Sequence, residues 1–189
     1  MNAIRATRAG RFEYELEAEA TYHHVRHGVQ VPGYPAIVAS GANGLVWHYT
    51  DNGARLVSGE TVVMDFGGSL DSQVIDLTRT WPVSGRFDAE QLRACECVLE
   101  AQQAVIAAMR PGATRAQTRE IAARIFKKWG FDDRDAGGAG HFVGMAVHDV
   151  GDPDLPFEPG MVIAVEPILE LKEKNLHVRI EDTVLITSG

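Results

Sequence analysis

SGETVVMDFGGSLDSQVIDLTRT, residues 58–80, places Asp65 and Asp76 among apolar, β-branched residues with glycines between them. A soluble chain avoids burying even one uncompensated carboxylate, because removing the charge from water is costly. TVVMDF opens from a Ser-Gly turn and reads as a strand, so Asp65 falls at a strand end. A second string, PGMVIAVEP (159–167), opens from Pro-Gly in the same way and reaches Glu166, 101 residues after Asp65.

The correspondence extends outward in both directions. ATRAGRFEYELEAEATYHHVRHG (6–28) and AMRPGATRAQTREIAARIFKKWG (108–130) each run Arg-x-Gly, a helical stretch and a closing glycine, with Gly10 and Gly28 each 102 residues before Gly112 and Gly130. His48 in WHYTD and His148 in VHDVG stand 100 residues apart. Each half therefore predicts an amphipathic helix closed by glycine and followed by apolar strands. The half-repeats run over about 1–87 and 88–189, within one domain spanning 1–189. Between them DAEQLRACECVLEAQQAVIAAM (88–109) predicts a long helix with Asp88 as N-cap, ended by Pro111-Gly112.

A chain of 189 residues with 45% hydrophobic content suits one packed domain. Its 26 acidic against 18 basic residues, net −8, argue against nucleic acid or anionic membrane as partner. MNAIRATRAG lacks the apolar core of a signal peptide and no run is long enough to span a bilayer, so the expected location is cytoplasmic. The two cysteines, Cys95 and Cys97, lie two apart on the predicted long helix. That spacing points them to different faces and prevents their pairing, so they read as packing residues.

If the halves pack about a pseudo-two-fold axis, Asp65 and Glu166 meet. Asp76 in IDLTRT and Glu181 in RIEDTVLI join them from the following strands. Four clustered carboxylates cannot all ionise without cations, and only Arg79 and Arg179 are near in sequence. Divalent metals answer the charge better, and oxygen ligands with one imidazole, such as that of His141 in GAGHFVGMAVHDVG, suit Mn, Co or Zn. Singly, each residue has a plainer reading. Asp65 could be a turn residue, Asp76 the partner of Arg79, and His141 a satisfied loop histidine. Glu166 could cap a strand end and Glu181 could be an edge-strand charge. The ordered, duplicated set is what these readings fail to predict.

The contexts DFG, DLTRT, GHFVGMAVHDVG, PGMVIAVEP and RIEDTVLI, with Asp65, Asp76, His141, Glu166 and Glu181 in that order, resemble the pita-bread metallopeptidases. Among these they are most similar to the Xaa-Pro aminopeptidases. The resemblance implies an α+β fold of two pseudo-symmetric αβ halves around a curved antiparallel sheet, as in creatinase and the aminopeptidases. It implies two divalent metal ions, with manganese expected before cobalt or zinc. Asp65 would hold one, His141 and Glu166 the other, and Asp76 and Glu181 both, with a water between them as nucleophile. Glu166 would accept the proton, His148 would hydrogen-bond the substrate and His48 would line the pocket opposite. For His148 a structural role, and for His48 a place in the core beside Trp47 and Tyr49, remain the plainer readings.

The implied substrates are peptides with proline in second position, and the resemblance leaves a homo-oligomer open. An Xaa-Pro dipeptidase is the rival within the enzyme class, and a non-catalytic peptide-binding protein of the same fold is the rival outside it. Creatinase-like relatives keep the fold without the metal ligands, whereas all five are present here. VHDVG speaks against a methionine aminopeptidase. Gly138-Ala139 replaces the family's His-Gly-Thr type string, and Ser72-Gln73 replaces its usual Gly-Tyr. A separate amino-terminal domain, a full first helix and the extreme C-terminus usual in the family are expected to be missing. The loop VGDPDLPFE (150–158) has no arginine, which favours peptides longer than dipeptides.

Overall fold

The computed structural model of the chain describes residues 1–131 and 137–188. Its first half carries helices α1 (Asn2–Ala6) and α2 (Glu13–Arg26) and strands β1 (Val31–Pro32), β2 (Ile37–Ser40), β3 (Thr61–Asp65), β4 (Gly68–Leu70), β5 (Gln73–Val74) and β6 (Leu77–Pro82). The second half carries helices α3 (Ala89–Ala108) and α4 (Arg115–Lys128). Its strands are β7 (Ala139–Phe142), β8 (Val162–Val165), β9 (Ile168–Leu171), β10 (Leu176–Arg179) and β11 (Glu181–Leu185).

One curled antiparallel sheet of six strands, ordered β2-β3-β6-β11-β8-β7, dominates the molecule. Its central pair, β6 and β11, comes from different halves, and the strands outside them match in order: β3 with β8, β2 with β7. Helices α2 and α4 have 14 residues each and begin 102 positions apart. Gly28 and Gly130 close them with φ of 89° and 76°, a left-handed turn that side chains with a Cβ resist.

Local signals account for the helix starts. The Asp88 carboxylate accepts from the Glu90 and Gln91 amides at 2.9 and 2.8 Å, and Gln91 Oε1 accepts from the Asp88 amide at 3.1 Å. This capping box starts α3 one residue after the predicted cap. Thr114 and Gln117 repeat it for α4.

Helix α3 buries Ala94, Val98, Ala101 and Val105 with Phe126 of α4 against Val165, Leu169 and Val178. Leu16 and Ala20 of α2 pack with Val38, Val62, Met64 and Trp81 over the other half. Cys95 and Cys97 are both free and both belong to the first of these clusters. They are unpaired packing residues, as expected, and both are buried because α3 is covered by α4 on one flank and by the sheet on the other. Burial pushes both thiols up to about 12, which leaves them unreactive.

Glu13, the first residue of α2, is fully buried and forms no ion pair among the described residues. Its Oε1 accepts from Ser40 N, Ser40 Oγ and Asn43 Nδ2 at 2.7, 2.8 and 3.2 Å. Its Oε2 accepts from Tyr49 OH and Ala54 N at 2.9 and 2.8 Å. The carboxylate thus ties α2 to the end of β2 and to the segment carrying His48.

Candidate metal centre

Strand register assembles the site. Thr78 on β6 is the partner of Asp65 on β3 and of Glu181 on β11, so the three residues form one row across the middle of the sheet. Residues in such a row share a face, and Asp76, two positions before Thr78, stands on that face too. Glu166 directly follows β8, while His141 comes from the edge strand β7. Glu181 therefore lies in the sheet interior at 1% exposure, not on an edge. Asp65 ends a strand and makes no turn.

Ligand atoms of Asp76, His141 and Glu181 lie within 4.8 Å of one another. His141 Nε2 is 3.3 Å from Asp76 Oδ2 and 3.7 Å from Glu166 Oε1. Asp65 and Glu166 flank this trio. The Tyr34 hydroxyl joins Asp65 to Asp76, donating to Asp65 Oδ1 at 2.6 Å and to Asp76 Oδ1. Arg179 pairs with Asp65 through its NH2 group and donates from Nε to Thr78 Oγ1 at 3.0 Å. Thr78 in turn donates to Glu181 Oε2 at 2.6 Å. From β11, Thr183 Oγ1 accepts from the Asp76 amide at 2.9 Å and donates to its carbonyl at 2.8 Å, which fixes the bend ahead of β6.

Arg79 does not pair with Asp76. It reaches across the sheet to Asp182 at 2.7 Å and to the Glu181 carbonyl at 2.6 Å, because successive strand residues point to opposite faces. Glycine makes room for the carboxylates. A Cβ on Gly140 would come within 2.5 Å of Glu166 Oε1, and one on Gly67 within 1.8 Å of the Ile75 carbonyl.

Charge is poorly balanced among the side chains alone. Burial, with Glu166, Asp76 and Asp65 close by, pushes Glu181 up to about 9 despite Arg179. Burial also raises Asp65, to about 6, against the pull of Arg179. At Asp76 burial works upward too, but hydrogen bonds from His141 and Tyr34 outweigh it and hold the carboxyl below its usual range. Burial opposes protonation of His141, yet the hydrogen bond to Asp76, the Phe142 carbonyl and the Glu166 charge lift it to about 9. Four carboxylates and one imidazole, with the Arg179 guanidinium offsetting one charge, make a donor set that a cation would complete, and oxygen-rich ligation with one histidine fits a divalent transition metal.

The two further histidines converge on the same place. His148 packs edge-on against His141 with ring centroids 4.2 Å apart, and His48 faces His148 at 6.4 Å. Both are exposed, so His48 is no core residue, and its φ of 56° turns it out of the preceding helical turn. Desolvation and the neighbouring His141 hold His148 below the usual imidazole range. Tyr34, Thr78 and Arg179 escaped the reading of the sequence as site residues. Arg179 had a usable signal, standing two residues before Glu181 in RIE; Tyr34, in an irregular loop, had none.

Residues 1–188 match the family described as Metallopeptidase family M24. The chain is 36% identical over 217 residues to an Xaa-Pro aminopeptidase of Haemophilus influenzae, an alignment covering 99% of this chain and 50% of the relative. It is 35% identical over 193 residues to an Xaa-Pro dipeptidase of Pyrococcus furiosus, covering 100% of this chain and 55% of the relative. A zinc-substituted aminopeptidase P of E. coli in complex with product superposes with a TM-score of 0.93 at 32% identity, over 99% of this chain and 49% of that one. The chain spans about half the length of these relatives. The fold is the pita-bread fold expected from the sequence. The chain belongs to metallopeptidase family M24.

Proposed function

From membership of metallopeptidase family M24 we propose that the protein is a dinuclear-metal Xaa-Pro aminopeptidase, hydrolysing the bond between an amino-terminal residue and a following proline. The observation that carries this reading is the convergence of Asp65, Asp76, His141, Glu166 and Glu181 from both halves of one sheet, with His48 and His148 beside them. In this reading Asp65 would hold one ion, His141 and Glu166 the other, and Asp76 and Glu181 would serve both. Manganese is the first choice, with cobalt and zinc behind it, because the set is oxygen-rich. When bound, the ions supply Lewis acidity, which acidifies water and polarises the scissile carbonyl.

The chain's own groups do the rest. Arg179 and Tyr34 fix the rotamers of Asp65 and Asp76, and Thr78 fixes Glu181, so the carboxylates are held in place before any substrate arrives. Glu166, less buried than the other three carboxylates and flanking the trio, accepts the proton of the attacking water and passes it to the leaving proline nitrogen. His148, kept neutral near pH 7, offers a ring N–H to the peptide carbonyl, and His48 closes the opposite wall. Among the described residues no helix is long and apolar enough to cross a membrane, and a cytoplasmic location belongs to the same proposal.

The match to an Xaa-Pro dipeptidase makes that the second reading. Residues 150–158 favour the first reading: Asp152, Asp154 and Glu158 are exposed and the segment has no cation to hold a carboxylate placed next to the proline. The test is metal analysis after anaerobic Mn or Co loading, with kcat/KM for an Xaa-Pro dipeptide and a tripeptide sharing the first residue. Two ions per chain and preference for the tripeptide are expected. Fewer than one ion in folded protein would remove the metal centre, and a clear dipeptide preference would make the protein a dipeptidase. Cleavage of neither by loaded protein would favour a non-catalytic peptide binder.

A further inference from the structure

A cavity of about 400 Å³ opens beside Glu166. Among the described residues it is lined by Trp47, Arg115, Arg119, Glu170 and Lys172, and by the segment 137–140. It shares Glu166 with the metal centre, and Trp47 precedes His48, so the cavity continues the proposed substrate path. Its size is that of a pocket for a small ligand or a side chain.

The two arginines are the first and fifth residues of α4 and so rise from one face of the helix. They are brought to the cavity by close packing of α4 on β7. Thr118 Oγ1 accepts from the Ala139 amide at 3.2 Å, and Arg115 Nε donates to the Ala139 carbonyl at 3.2 Å. Gly138, at φ 148°, passes so near α4 that a Cβ there would lie 3.0 Å from the Arg119 amide.

The acids of the cavity are already engaged, whereas among the described residues the arginines have no acidic partner, Arg115 giving its Nε–H to a backbone carbonyl. Glu170 Oε1 takes Trp47 Nε1 and His177 Nδ1, each at 3.1 Å, and Lys172 stands 3.9 Å from Oε2. Glu166 is turned to His141. Among the described residues neither Arg115 nor Arg119 forms an ion pair. In the first half the position equivalent to Arg115 is Glu13, which is buried and saturated by donors. Two neighbouring guanidiniums repel one another until an anion lies between them, and a planar carboxylate matches their N–H geometry.

We propose that this cavity is a carboxylate-reading subsite, in which Arg115 and Arg119 bind a carboxylate of the peptide whose bond is cut beside Glu166. The inference rests on the peptidase reading above and adds a substrate class to it: Xaa-Pro peptides that carry an acidic side chain or a free carboxyl terminus reaching this pocket.

The test compares Ala-Pro-Ala-amide with three peptides bearing one carboxylate each: Glu-Pro-Ala-amide, Ala-Pro-Glu-amide and Ala-Pro-Ala with a free terminus. At least one should exceed the neutral amide in kcat/KM by roughly fivefold, mostly through KM, the upper end for a partly exposed ion pair. The position of that carboxylate identifies its source. The acidic-to-neutral ratio should fall toward one in Arg119→Gln and in the Arg115→Gln/Arg119→Gln double variant, recover in part in Arg119→Lys, and persist in Arg124→Gln, which removes a charge elsewhere on α4. Equal turnover of all four peptides, or a ratio that survives the double variant, would overturn the subsite while leaving the peptidase reading intact. If loaded wild-type protein cleaves none, the peptidase reading is what fails. Calorimetric titration of the same peptides then decides the subsite: a carboxylate advantage lost in Arg119→Gln supports it, and its absence ends it.

Discussion

Truncating Glu13 should unfasten the segment that carries His48. The buried carboxylate accepts from Ser40 N, Ser40 Oγ, Asn43 Nδ2, Tyr49 OH and Ala54 N. Hydrogen bonds to a charged group contribute about 1.5–3 kcal/mol each, and burying the charge costs several kcal/mol in return. In Glu13→Ala both terms vanish, but the amides of Ser40 and Ala54 lose their acceptor, at about 1–3 kcal/mol each. The net loss works out near 4 kcal/mol, and at about 2–4 °C per kcal/mol for a chain this size the melting temperature should fall by roughly 8–16 °C. Glu13→Gln keeps the shape but turns one acceptor into an NH2 group facing either the Ser40 or the Ala54 amide, so about half that loss is expected. Urea unfolding followed by circular dichroism measures both, and limited proteolysis of Glu13→Ala should cut first within residues 40–54. A loss below about 1 kcal/mol in Glu13→Ala, or an equal loss in both variants, would refute the reasoning.

Chelation should destabilise the fold, because the clustered carboxylates lose their counter-ions; an unchanged melting temperature at pH 7 after confirmed metal removal would contradict this. The metal-free protein should also lose stability as pH rises from 6.5 to 8.5. Glu181 and His141, both lifted to about 9, hold protons there that the unfolded chain has largely released, at about 1.4 kcal/mol per pH unit for each proton. His177, lowered to about 4 by burial and Arg179, acts in the opposite direction only below its unfolded value near 6.5, outside that window. A melting temperature that climbs with pH in EDTA would show these assignments to be wrong. Asp76→Ala should lose both metal and turnover, whereas His148→Ala should keep the metal and lower kcat by about 10²-fold or more. Full activity in His148→Ala would take it out of the mechanism.

Much of this architecture can be read along the chain. Matching spacings in the two halves, the closing glycines Gly28 and Gly130 and the Asp88 cap are local signals, and local backbone chemistry carried them into α2, α4 and α3 as expected. The residues of the candidate centre were legible for a related reason: a strand ending on Asp65 and its repeat ending at Glu166 follow from alternation and duplication, with no need to know what lies across the sheet. What the sequence left open depends on register and approach between segments far apart. Arg79 and Asp76 are three residues apart but point to opposite faces, so Arg79 serves Asp182 instead. Tyr34 bridges Asp65 and Asp76 from a loop with no periodic signal. Cys95 and Cys97 share a core because α4 and the sheet close on α3 from two sides. Arg115 and Arg119 look like ordinary solvent-facing residues of an amphipathic helix, and only the seat of α4 on the glycines before His141 turns them toward Glu166. Local propensity and spacing set the elements, whereas pairing across the sheet and helix packing, which no short window encodes, set which charges meet.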